Sequence, residues 1–307
     1  MTLISQQVDE EVDREVPSAA AKPSRKGPWR WRAGWWLLAL PVAVFLLILF
    51  AYPTLIMLSR TFTDFQAPQA AGLDNVVWFL ENDVNTTILL RTFVVGTVST
   101  LFCLLLAFPF AYTMTLVSPF VRTIMTAAVL LSMLAGILLR NFAWIVLLQR
   151  QGLINDGVEA LGFERISFLG TPVAVIIGMT HVLFPFMVLP LYAVLRGIDR
   201  RLVLAAQSLG ASPTKAFLQV YLPLSLPGVL TGGTLVFVLS LGFFITPALL
   251  GSPQQAMISQ LMAQQFTKMS AFGRAGVLAL ALLLVTLLVV GLTQWLARRS
   301  KAYEGAA

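Results

Sequence analysis

"LAAQSLGASPTKAFLQVYLPLSLPG", residues 204–228, reads as a polar helical hairpin inside an otherwise apolar chain. Just upstream, Asp199 has the side chain of a helix N-cap. Leu202, Ala205, Ala206 and Leu209 then recur at the i, i+3, i+4, i+7 spacing of one helix face, which predicts a helix over 200–209. Gly210 stands where a helix ends on a left-handed residue. Ser212 and Pro213 restart a helix as N-cap and first helical residue. The second helix carries Lys215, Phe217 and Tyr221. Pro223 and Pro227 are then expected to turn the chain back toward the apolar sequence that follows.

That surrounding sequence decides the solvent. Hydrophobic residues make up 58% of the 307, charged residues 11%, and the mean hydropathy is +0.83. A soluble domain carries roughly 25% charged residues. The chain therefore reads as an all-α integral membrane protein. Six apolar runs are long enough to cross a bilayer, at 35–58, 88–117, 123–148, 173–195, 224–250 and 275–297. Trp35 and Trp36 open the first and Trp295 closes the last, as interfacial anchors do.

Residues 1–33 form a separate segment, acidic first and basic later, expected to be a disordered cytoplasmic tail. Residues 34–307 form the membrane domain, with the hairpin inside a loop at about 196–223. If the N-terminus is cytoplasmic, the cytoplasmic pieces hold 14 of the 21 Lys and Arg. The acidic residues between Asp64 and Glu164 all fall on the other side. The positive-inside rule thus places both termini and the hairpin in the cytoplasm. The net charge of +7 reflects this bias and not a nucleic-acid partner. A DNA-reading helix-turn-helix is excluded on the same ground: short links to two spans keep it from a major groove.

Polar residues inside the spans are few. Arg140 lies in the third run, where a charge costs at least ~2.5–3.5 kcal/mol on insertion scales. It is expected to face a cavity, carbonyls or the interface, with Asn141 and Trp144 beside it. Phe243 and Phe244 are further candidates for a translocation pathway through cation–π contact. His181, the only histidine, reads as a hydrogen-bonded packing residue. Pro41, Pro53, Pro109, Pro185, Pro190 and Pro247 interrupt the spans or mark their edges, a pattern that fits a transporter.

Several classes are excluded. A lone cysteine, Cys103, and a lone histidine make no disulfide or metal site. No phosphate-binding loop, zinc-peptidase motif or catalytic triad is present, so the chain is not read as an enzyme. No Asp or Glu lies in any span, which argues against the alternative of an ion-coupled secondary carrier or channel subunit.

The hairpin resembles the cytoplasmic loop of the permease subunits of bacterial ABC importers. That loop's pattern is Glu-Ala-Ala, three residues, Gly-Ala, then a spaced apolar residue and Leu-Pro. Ala205, Ala206, Gly210, Ala211, Phe217, Leu222 and Pro223 match it in order and spacing; Leu204 occupies the Glu position. "LLRNFAWIVLLQRQGLIN" (138–155) and "LGFFITPALLGSP" (241–253) resemble segments of the first permease subunit of spermidine/putrescine importers. The resemblance implies a type I importer fold of six helices in the bacterial inner membrane, with the loop acting as a coupling helix. It also implies a second homologous permease, two cytoplasmic ATPase subunits that hold the ATP, and a periplasmic substrate-binding protein. No cofactor or metal is expected on this chain. With Leu at the Glu position, docking on the ATPase is expected to rest on shape and apolar contact.

Overall fold

The computed structural model describes residues 40–304, and side chains as far as residue 295. The 1–33 tail and the tryptophans at 35 and 36 lie outside the described residues. By its internal contacts the chain falls into two units, 1–54 and 55–307. Every described element is helical.

In chain order the elements are α1 (Leu40–Phe62), α2 (Asp74–Glu81), α3 (Asp83–Leu116), α4 (Pro119–Leu134), α5 (Ile137–Leu148), α6 (Leu153–Ala160), α7 (Pro172–Leu195) and α8 (Arg200–Ser208). They continue with α9 (Pro213–Leu241), α10 (Ile245–Leu250), α11 (Ile258–Thr267) and α12 (Phe272–Glu304). α1, α3, α7, α9 and α12 are each long and apolar enough to cross a membrane.

Two of the expected spans are broken. The run at 123–148 is not one helix: α4 stops at Leu134, and the pair Pro119–Leu134 and Ile137–Ala160 is bent by 95°. Ala135 is extended and Gly136 caps the next helix. Likewise 224–250 divides at Gly242–Phe244 into α9 and the short α10. Hydropathy reports the solvent of a residue and not the direction of its helix, so both breaks are silent in it.

The beginning of α9 also departs from expectation. Pro223 and Pro227 do not turn the chain; α9 is one helix from Pro213 in the hairpin to Leu241. A widened turn at Phe217–Tyr221, closed by Leu222 N–H to the Phe217 carbonyl, precedes Pro223. The same device occurs at Leu47–Ala51, two residues before Pro53. Proline brings no N–H and its ring crowds the carbonyl four residues back, and the π turn absorbs that mismatch.

α3, α7 and α9 pack on one another as the centre of the bundle. Small residues set their spacing. A Cβ on Gly228 would lie 2.9 Å from the Val194 Cβ, and one on Gly232 2.9 Å from the Met187 sulfur. Close backbone approach between helices is how membrane bundles gain dispersion contacts. Around this centre lies an apolar core that includes Met114, Met179, Leu183, Met187, Leu191 and Leu195. The loop after α10 is held to α3 by Arg91, which donates to the carbonyls of Gln254 and Ala256. Thr92 Oγ1 accepts from Ile258 N–H at 2.9 Å.

Candidate functional site

The hairpin forms as its sequence requires. Asp199 accepts from the Arg201 N–H at 2.9 Å and starts α8. Gly210 has φ +92°. Its N–H reaches the Gln207 carbonyl, and the Ala211 N–H reaches that of Ala206. This pair of bonds is a Schellman closure, which needs a left-handed residue at that position. Ser212 Oγ accepts from the Lys215 N–H at 3.3 Å, with Pro213 as first helical residue.

Which face looks outward is less obvious from sequence. Leu202, Leu204 and Leu209 are 49, 60 and 90% exposed, and Ala205 is exposed with them. Val203, Ala206 and Ala211 are half-buried. The apolar stripe of α8 is therefore displayed and not packed on the bundle.

Phe217 packs on aromatic residues of α3 and of its own helix. It is turned inward, stacked on Tyr221 at 5.5 Å and edge-on to Tyr112 at 5.6 Å and Phe108 at 6.2 Å. These contacts fix the hairpin to α3. Leu222 and Pro223 are exposed; Leu222 lines an apolar groove of about 680 Å³ against Leu101, Leu105 and Pro109 of α3.

A second joint lies beside the aromatic one. The Arg200 guanidinium donates to the Thr115 carbonyl and, at 3.1 Å, to the Thr115 hydroxyl. Arg122 donates to the Met114 carbonyl at 3.1 Å. Both cations sit on the C-terminal carbonyls of α3, where the helix dipole is negative. The hairpin is thus continuous with α7 and α9 through the chain and clamped to α3 through side chains.

Further into the bundle, Arg140, Asn141 and Trp144 share one side of α5 and meet α7. Arg140 donates to the Val182 carbonyl at 3.4 Å. Trp144 Nε1–H donates to His181 Nδ1 at 3.1 Å. Asn141 is fully buried; its amide donates to the Ile137 carbonyl, and its oxygen has no partner among the described residues. A cavity of about 540 Å³ opens beside this cluster, walled by Phe102, Trp144, Phe184 and His181. His181 thus hydrogen-bonds as the packing reading expects, yet it also lines a cavity. Sequence alone does not pair residues 144 and 181, because the bend before α5 decides their meeting.

Phe243 and Phe244 do not join that cavity. Phe243 lies in the break after α9, its carbonyl accepting from Ser259 Oγ at 2.7 Å. Phe244 lines a different hollow with Gln260, Gln264 and Lys268. Among the described residues, no group of His, Cys, Asp or Glu is arranged to hold a metal.

Comparison with known proteins agrees with this architecture. Residues 35–302 match the family described as binding-protein-dependent transport system inner membrane component. The chain is 30% identical over 255 residues to the spermidine/putrescine transport system permease protein PotB of Escherichia coli K12, covering 80% of this chain and 92% of that one. Against PotB of Haemophilus influenzae the identity is 34% over 197 residues, 63% and 69% of the two chains. The fold is similar to a chain of the bacterial ABC transporter for alginate, with TM-score 0.67 at 20% identity over 87% of this chain and 96% of that one. It is also similar to a chain of the MetNI methionine transporter, with TM-score 0.53 at 20% identity over 73% and 97%. The chain belongs to the family of inner-membrane components of binding-protein-dependent transport systems, as a permease subunit of an ABC importer.

Proposed function

We propose that this chain, paired with a second permease, forms the passage of an ATP-driven importer for polyamine-like or related small organic solutes. The single observation that carries the reading is the capped hairpin, its apolar stripe exposed and its root clamped to α3 between α7 and α9. An outward apolar stripe needs a partner, and a clamped root passes that partner's motion inward. The partner is a cytoplasmic ATPase, one of two, which holds the ATP; this chain carries no nucleotide site and no cofactor. Both termini lie in the cytoplasm, in agreement with the distribution of Lys and Arg. The periplasmic binding protein supplies solute at the opposite end.

In this mechanism, ATP draws the two ATPases together and the hairpins follow. α3, α7 and α9 move with them, and the passage opens toward the binding protein. Hydrolysis returns it to face inward. The cavity walled by Trp144 and His181, with Arg140 and Asn141 behind it, lines part of the passage. A charged group inside the hydrocarbon is retained for such use or for pairing with carbonyls, and Arg140 pairs with the Val182 carbonyl. The solute class rests on the PotB relatives, whose own names give spermidine and putrescine. Affinity resides in the binding protein, since no acid lies within the six apolar runs of the sequence.

The test is uptake of labelled putrescine and spermidine into proteoliposomes holding the full importer. Uptake that needs ATP, the ATPase and the binding protein supports the reading. Uptake that persists with an inactive ATPase contradicts it and favours an ion-coupled carrier. Submicromolar binding of solute to the membrane complex without the binding protein contradicts the placement of affinity.

A further inference from the structure

The pieces that follow the two breaks meet inside the bundle. α5 begins after the bend at Ala135–Gly136 and α10 after the break at Gly242–Phe244. They pack on each other and on α7. Their meeting point on α7 is Gly178, which is buried. A Cβ there would lie 2.3 Å from Leu250 Cδ1, 2.7 Å from Thr246 Cγ2 and 3.6 Å from Asn141 Oδ1. With no side chain at this position, α5 and α10 rest against bare α7 backbone.

Two polar side chains close on this point, and each is short of a hydrogen bond. Asn141 and Thr246 are fully buried. The Asn141 amide donates to the Ile137 carbonyl at 2.8 Å. Its Oδ1 and the Thr246 Oγ1 have no partner among the described residues. A buried polar atom left without a bond is destabilising, the more so where the surroundings are apolar. The two are complementary, since a hydroxyl donates and an amide oxygen accepts.

They are also near each other. The Thr246 methyl and Asn141 Oδ1 touch the same Cβ position on Gly178, so no more than the sum of 2.7 and 3.6 Å separates them. It is the methyl of Thr246 that faces Gly178 here. One rotamer step of about 120° puts the hydroxyl in its place. α10 itself is a separate piece of six residues. Ser259 Oγ donates to the Phe243 carbonyl before it, and Gly170 N–H donates to the Leu250 carbonyl at its end.

We propose that Asn141 and Thr246 form a latch between the two broken spans. It is open in the arrangement described and closed in the other arrangement of the transport cycle, where Thr246 Oγ1–H donates to Asn141 Oδ1. Gly178 is the bearing over which α5 and α10 shift, by the ~1–2 Å that packed helices move in such transitions. A bond made in one arrangement only shifts the balance between the two. The inference rests on the proposed alternating passage.

The complete importer in proteoliposomes, with its own binding protein, tests it. Thr246→Val keeps the shape of the side chain and removes only the hydroxyl; Thr246→Ser keeps the hydroxyl. Loss of one hydrogen bond from one arrangement is expected to slow maximal solute uptake by roughly 3–10-fold in Thr246→Val. Thr246→Ser should stay near the wild-type rate. The thermal midpoint of the complex is read twice, without nucleotide and with ATP held by an ATPase variant that binds but does not hydrolyse it. Thr246→Val should lower one of the two midpoints. The other should be unchanged or raised, because an unpartnered buried hydroxyl has gone. Asn141→Leu combined with Thr246→Val should be no slower than the slower single variant, as for two residues that share one bond. Wild-type uptake in Thr246→Val overturns the inference. So does an equal fall of both midpoints, which would make the hydroxyl a constant part of the packing, and so do single-variant effects that multiply. Wild-type uptake that persists with an inactive ATPase sinks the proposed function itself, so the two failures are told apart.

Discussion

Three neighbouring residues carry most of the hairpin's meaning. Leu204 stands where the family's loop has Glu and is exposed; Leu209 is nearly free of contacts at the tip; Gly210 holds φ +92° and closes the first helix. A β-branched residue at Gly210 meets no steric neighbour, since nothing lies within 4 Å of its Cβ direction. The strain is in the backbone alone. Gly210→Val is expected to destabilise the turn by about 1–3 kcal/mol, and to lower solute uptake per ATP hydrolysed while the ATPase still co-purifies. Ordinary uptake per ATP in that variant contradicts the role given to the turn. The caps and the turn were legible in the sequence because each is a local rule satisfied within four residues. The inward turn of Phe217 was not, because its partners Phe108 and Tyr112 are over a hundred residues away in sequence and only the packing of α3 against α9 brings them together.

Among the elements, the long helices were readable and their interruptions were not. An apolar run of twenty residues signals a bilayer whether or not it bends at Ala135–Gly136 or Gly242–Phe244. The proline positions were visible, yet they do not end the helices: Pro109, Pro185, Pro190 and Pro227 lie inside continuous ones, and a π turn precedes Pro53 and Pro223. With the turn at Phe217–Tyr221, α9 stays continuous through Pro223. The crossing of α7 and α9 depends on Gly228, whose Cβ position is already filled by Val194. Gly228→Val should therefore force these helices apart, with a loss of about 1–3 kcal/mol. A clear fall in the thermal midpoint of the purified complex is the expected result. An unchanged midpoint would mean that the crossing is looser than described.

For the whole molecule, the account requires the hairpin and α2 to lie on opposite sides of the membrane. The chain itself offers the means to check this. Its only cysteine, Cys103, is fully buried, with its thiol donating to the Thr180 carbonyl at 3.3 Å, so it gives little background labelling. Leu80→Cys should react with a membrane-impermeant maleimide added to intact spheroplasts. Leu209→Cys should react only after permeabilisation. The reverse pattern contradicts the orientation, and with it the assignment of partners to the two ends.

The central claim is that an exposed apolar stripe on α8 docks the ATPase and that the clamp at its root transmits the motion. Leu209→Asp puts a charge into the middle of that contact and touches nothing else in the chain. The decisive measurement is the affinity of the purified ATPase for the permease complex in nanodiscs, read with the complex's thermal midpoint. Affinity weaker by roughly tenfold or more, with the midpoint unchanged, is the expected result. Wild-type affinity in the Leu209→Asp variant would contradict it.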